Sequence, residues 1–232
     1  MTATLVRADR VPVLWRVLPG VTRYGDAIAA MQRHAEALAA GANRESVWLL
    51  SSPPGYNPGI KSRPADLPPA ATLNAQGLEV DAPAGPPRAG DWTYHGPGVR
   101  GVIVMLDLRK RRMDIAGFVD ALHRWIIAAV AEFGIISRRE DFDPAGVWVN
   151  GGVDKIASIG LRLSRWVTSY GFALYLNPAL ANFAPIKPCG IDIPGKGITS
   201  LDQLGVKASM DDVDAALRKT FEPIFGATSL VQ

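Results

Sequence analysis

Apolar positions along the chain follow two periods, and the switches between them divide it into strands and helices. A short apolar run at 13–18 reads as a strand, closed by Pro19-Gly20. Over 24–40, Ile28, Met31, Ala35 and Leu38 fall at i, i+3, i+7 and i+10, one face of a 3.6-residue period, and Gly41 stands where a C-terminal cap belongs. That predicts a helix with His34 off the apolar stripe, in solvent. Strands are expected at 47–50 and 102–108. Asp114 caps a second helix that turns Phe118, Leu122, Trp125, Ile126, Ala129, Val130 and Phe133 to the core, with His123 structural and Gly134 at its end. Strands at 147–149 and 155–163 flank Gly151-Gly152 as a hairpin, and another covers 168–176. Ser209 with Asp212 opens a last helix through Val213, Leu217 and Phe221, stopped by Pro223.

Residues 51–90 break this rhythm. They hold nine of the eighteen prolines and no sustained period, so they are expected to form a long surface loop, a lid or the wall of a site. With 232 residues, 48% of them hydrophobic, and no internal repeat, one domain with one core is expected, spanning 1–232. A lone cysteine forms no intramolecular disulfide, the first ten residues lack an apolar signal core, and the longest apolar run, 125–131, is far short of the ~20 residues of a membrane span. The expectation is a soluble, cytoplasmic protein that makes no membrane contact. A net charge of +3 is too weak to indicate nucleic acid.

The candidate chemistry is narrow. Gly96, Gly98 and Gly101 spell G-x-G-x-x-G, but Pro97 lies inside the motif and it opens into a strand, which excludes the dinucleotide reading. The near phosphate loop at 190–196 is interrupted by Pro194 and has Gly197 where Ser or Thr must hold magnesium, which disfavours ATP-dependent ligation. Three scattered histidines and one cysteine match no zinc spacing, so neither metal nor cofactor is expected. Cys189, between Pro188 and Gly190, has two readings: a placed nucleophile or a small buried hydrophobe. His95, in a glycine-rich turn beside Tyr94, is either a satisfied core histidine or part of a site wall. Lys155, at a strand start, reads on its own as a rim residue with its head in water. The run Arg109-Lys110-Arg111-Arg112 is a solvated turn or a docking patch for an acidic protein.

Four blocks together resemble the lipoyl(octanoyl) transferases. They are Thr93-Tyr94-His95-Gly96-Pro97-Gly98; Gly146-Val147-Trp148-Val149 followed by Lys155-Ile156-Ala157-Ser158-Ile159-Gly160; Gly171-Phe172-Ala173-Leu174; and Pro188-Cys189-Gly190 followed by Gly197-Ile198-Thr199-Ser200-Leu201. The resemblance, carried over residues 88–204, implies an α+β fold like that of the biotin and lipoate protein ligases, a mixed β-sheet flanked by helices. It implies transfer of octanoyl from octanoyl-acyl carrier protein to a lysine of lipoyl domains, in oxo-acid dehydrogenase E2 subunits or the glycine-cleavage H protein, through a cysteine thioester. Cys189 would be the nucleophile and Lys155 its acid/base partner. Substrate would be held by Arg88, Ala89, Gly90, Asp91, Trp92, Thr93, Tyr94, His95, Ser158, Ile159, Gly160, Gly171, Phe172 and Ala173. Against the family's pattern, Ala89 replaces a glycine, Val99 a glutamine and Tyr170 a histidine, and Ser51-Ser52-Pro53-Pro54 stands for Glu-His-Pro-Pro. Two alternatives accompany this reading: an acyltransferase with a changed donor or acceptor, and a non-catalytic relative that only binds carrier protein or lipoyl domain.

Overall fold

The computed structural model describes residues 4–82, 84–186 and 193–231. In chain order these form β1 (Val13–Val21), α1 (Tyr24–Ala39), β2 (Ser46–Ser51), β3 (Gly55–Asn57), α2 (Ala70–Ala75), β4 (Glu79–Val80), β5 (Thr93–His95) and β6 (Val99–Met105). There follow α3 (Ile115–Ala131), β7 (Arg138–Glu140), β8 (Asp143–Val149), β9 (Asp154–Ser164), β10 (Val167–Tyr175), β11 (Gly197–Ile198), α4 (Met210–Phe225) and β12 (Thr228–Leu230). The main sheet runs β12-β1-β2-β6-β10-β9-β8-β7, with β11 paired to β9. It is mixed: β1 pairs in parallel with both β12 and β2, and from β2 to β7 every pair is antiparallel.

Helices cover both faces, as the chain's periods require. On one face α3 and α4 pack Phe118, Trp125, Leu217 and Phe221 onto Val47, Val102, Leu174 and Val147. On the other, α1 sets Ile28, Met31 and Leu38 against Trp48, Ile103 and Met105. The predicted caps form. The Asp114 carboxylate accepts from the Gly117 amide at 2.9 Å, and Ser209 and Asp212 make a reciprocal capping box.

Several sequence expectations need correction. Residues 51–90 are not a featureless loop: β3, β4 and α2 lie within them, and β3 pairs with both β4 and β5 in a second, three-stranded sheet. Tyr56, Leu73 and Leu78 bury themselves with Trp92 and Tyr94, enough apolar area to order so proline-rich a stretch. Helix α4 does not stop at Pro223 but passes through it, because Ile224 and Phe225 are drawn into the core; it ends where Gly226 takes φ 103°. His34 is half-buried, set edge-on to Trp48 and bonded through Nε2 to the Arg44 carbonyl oxygen at 2.8 Å, since Trp48 projects from the sheet beneath α1. The basic run divides: Arg109, Lys110 and Arg112 are exposed, as a solvated turn requires, although Arg109 also pairs with Asp107 at 2.8 Å, and only the Arg111 side chain is buried, with Nη2 2.7 Å from Glu45. His123 is buried and bonded to the Val119 carbonyl oxygen at 2.9 Å, as expected of a structural histidine.

Candidate active site

Lys155 opens β9, and its position corrects the rim reading: the side chain is fully buried, with Nζ 2.6 Å from Asp143 Oδ2 and over the Trp148 ring at 5.3 Å. A β-bulge aims it there. Paired residues share a sheet face, and Gly146 pairs with Ser158 while Trp148 pairs with Lys155. Gly146 and Trp148, two apart, lie on one face, so Lys155 and Ser158, three apart, do too. The register shift absorbs one residue of β9. Without it, strict alternation would turn Lys155 toward the α3–α4 core.

Asp143 begins β8 and is 4% exposed. Its carboxylate is held from three sides: Lys155, the Trp148 Nε1–H at 3.2 Å, and the Ala145 amide at 3.2 Å. Gly146 makes room, since a Cβ there would lie 2.1 Å from Asp143 Oδ2, 2.4 Å from Trp148 Nε1 and 3.0 Å from Lys155 Cε. The carboxylate and ammonium neutralise one another where water does not reach, an arrangement tolerable only with such close contact.

From Gly146 the same face continues across the sheet as a row of small residues: Gly146 pairs with Ser158, Ser158 with Ala173, Ala173 with Gly101, and Gly101 with Leu50. A neighbouring row joins Gly160, Gly171 and Ile103. Small side chains in adjacent strands lower the floor into a trough that starts beside the Lys155–Asp143 pair. Ser158 Oγ is 2.7 Å from Tyr175 OH, so the one polar group on this floor is satisfied. Tyr24, Arg88, His95 and Tyr170 line the open cleft above this floor.

The expected substrate residues divide. Arg88, Thr93, His95, Ser158, Ile159, Gly160, Gly171, Phe172 and Ala173 line the cleft. Trp92 and Tyr94 instead pack into the cluster beneath the small sheet, with Trp92 Nε1 donating to the Arg63 carbonyl oxygen at 3.0 Å and Tyr94 OH accepting from Asn182 at 3.0 Å. Ala89, Gly90 and Asp91 form the loop that secures Arg88. The Ala89 amide donates to Leu161 O at 2.8 Å, Gly90 carries the left-handed φ of 90°, and the Asp91 carbonyl oxygen accepts from Arg88 Nη2 at 2.7 Å. Arg88 is buried, with Nη2 also donating to Asn57 O at 3.0 Å, and its stem lies over Gly160.

His95 is stacked on Tyr24 at 4.3 Å between ring centres. Burial, then the Arg88 charge, lowers its pKa to about 3, so the ring is a neutral wall at physiological pH. Tyr24 is pushed well above the ordinary tyrosine value, mainly by burial. Cys189 lies in 187–192, outside the described residues. Either side of that segment, Ile186 is buried with Ala173 and Tyr175, and Ile198 pairs with Lys155 itself. Sequence reasoning missed Asp143, Tyr24, Leu50, Val102 and Ile103. Asp143 offered little signal: an aspartate before Pro-Ala-Gly reads as a turn, and only strand pairing brings it to a lysine twelve residues on. Among the described residues no group of three or more His, Cys, Asp or Glu is arranged to hold a metal, and no helix is long and apolar enough to cross a membrane.

A family model described as the lipoyl protein ligase A/B catalytic domain matches residues 23–222. An octanoyltransferase of Rhodopseudomonas palustris (strain BisA53) is 44% identical over 223 residues, 93% of this chain and 91% of the relative. One from Chelativorans sp. (strain BNC1) is 45% identical over 227 residues, 93% and 88% of the two chains. Among solved structures, a lipoate-protein ligase A bound with ATP superposes with TM-score 0.70 over 96% of this chain and 90% of its own, at 14% identity. A bi-partite lipoate protein ligase from Thermoplasma acidophilum gives 0.69 over 95% and 87%, at 13%. Those two likenesses establish the expected ligase-like fold, a mixed sheet flanked by helices. The family match and the octanoyltransferase relatives extend over most of the chain, which therefore belongs to the lipoyl protein ligase A/B catalytic-domain family, as an octanoyltransferase.

Proposed function

We propose that this enzyme moves octanoyl from octanoyl-acyl carrier protein to a lysine of lipoyl domains, in oxo-acid dehydrogenase E2 subunits or the glycine-cleavage H protein, in two steps through Cys189, in the cytoplasm. In the first, the Cys189 thiolate attacks the donor thioester carbonyl, a new C–S bond forms, and the carrier's thiolate leaves and takes a proton. In the second, the acceptor amine attacks the acyl-cysteine, the amide forms, and the Cys189 thiolate is released while the amine's proton passes to a base. A thiol near pKa ~8.5 needs a cation or base beside it to react at neutral pH, and Lys155 is the group proposed for both proton transfers. Exchange of one thioester for another is close to isoenergetic, so no nucleotide is consumed.

The observation that carries this reading is Lys155, buried beside Asp143 at the head of a trough floored by Ser158, Ala173 and Gly101. A saturated chain laid along it gains roughly 0.8 kcal/mol per methylene removed from water. Cys189 is three residues beyond buried Ile186, and three residues of even extended chain span only about 11 Å. The test is intact mass after mixing with octanoyl-carrier protein: one octanoyl adduct is expected on the wild type and none on Cys189→Ser. An adduct that persists in the variant, or none on the wild type, refutes the proposal.

A further inference from the structure

A second pocket, open to solvent, lies between α1 and the β9–β10 ribbon. Ala35, Ala39 and Val167 supply its apolar lining, and Glu36, Arg162 and Arg165 are among its polar lining residues. One side chain lines both spaces: Tyr170.

Tyr170 is held with unusual firmness for a residue in mid-strand. Its backbone has φ 60°, a left-handed conformation that a bulky residue adopts only when its surroundings impose it. Its amide donates to Met31 Sδ at 3.0 Å, and its hydroxyl donates to the Pro86 carbonyl oxygen at 2.9 Å. The ring is buried, and the next residue, Gly171, lacks a Cβ because one would lie 2.1 Å from the Val102 carbonyl oxygen. The acyl cleft and the second pocket therefore meet at Tyr170.

We propose that Tyr170 is the end wall that fixes the length of acyl chain the enzyme accepts, and that the cavity behind it receives the distal carbons of longer chains once the ring is removed. This rests on the acyl-transfer reading above. The ring excludes by shape alone, so no bond is made or broken at Tyr170 and it is a specificity-determining residue.

The experiment measures the initial rate of acyl-adduct formation on the full chain with eight-, twelve- and sixteen-carbon acyl-pantetheine thioesters. Wild type is expected to prefer eight carbons to twelve by at least about tenfold. Tyr170→Gly, which accepts φ 60° without strain, should lose that preference, and Tyr170→Phe should keep it. Tyr170→Leu provides a second truncation should the glycine variant fold poorly. Adding Ala39→Trp, which fills the cavity from its far side, should restore the eight-carbon preference to Tyr170→Gly. A wild type without chain-length preference, an unchanged profile in both truncations, or long-chain acceptance that survives Ala39→Trp overturns the end wall while leaving octanoyl transfer standing. Absence of any adduct on wild type overturns the transfer reading and the end wall with it.

Discussion

Lys155 Nζ lies 2.6 Å from Asp143 Oδ2, with the lysine side chain wholly buried and the carboxylate 4% exposed. The two residues come from neighbouring strands, and the carboxylate both neutralises the ammonium and fixes its direction. Asp143→Asn keeps the shape and removes the charge. Loss of one member of such a buried pair costs about 3 kcal/mol, to be read as a lower denaturation midpoint. Octanoyl transfer should fall more than the loss of stability explains. A folded variant that keeps the wild-type rate would assign Asp143 a structural role only.

Gly146→Ala tests the same pair from below. The added methyl meets Asp143 Oδ2 and Trp148 Nε1 well inside contact distance. The expected result is destabilisation of about 1–3 kcal/mol with a change in near-ultraviolet circular dichroism as Trp148 is displaced, and loss of transfer.

Ala173→Leu tests the trough. Ala173 sits between Gly101 and Ser158 in the small-residue row, so an isobutyl group raises the floor at mid-length. Adduct formation from an octanoyl donor should slow severely while a two-carbon donor, which does not reach that far, retains most of its rate.

Two buried groups make opposite contributions to the pH dependence of stability. Asp214 faces Arg100 at 2.8 Å, yet burial raises its pKa from 3.8 to about 6. Its folded-state pKa is raised, so its contribution is fully present below pH 3.8 and is lost as pH rises through 6. His95 is lowered from 6.5 to about 3, so its contribution is present above pH 6.5 and is lost as pH falls toward 3. Denaturation of Asp214→Asn against wild type at pH 4 and pH 7 should show the variant gaining relative stability at the higher pH. The ring of His95 should remain neutral by NMR at pH 5.

The helical faces were legible in the chain because a period of 3.6 survives in sequence: Ile28, Met31 and Leu38 on α1, and Phe118, Trp125 and Val130 on α3, are buried where the spacing put them. The central strands were legible for a like reason. The strands that escaped notice, β3, β4, β5, β7, β11 and β12, have two or three residues each and take their stability from the partner they pair with, a term absent from local sequence.

What the sequence by itself determined is the family and the ligase-like sheet, with Gly160, Gly171 and Ala173 among the substrate residues that the resemblance implied. It also supplied the lysine and the cysteine as the reactive pair to test. Tertiary structure decided which way Lys155 points, because one residue absorbed in a bulge turns it from the core to the trough, and alternation counted along the chain cannot register an event set by pairing with β8. It also brought Asp143 to that lysine and set Tyr170 between two cavities. Contacts of that kind join separate strands and helices, and no local period encodes them.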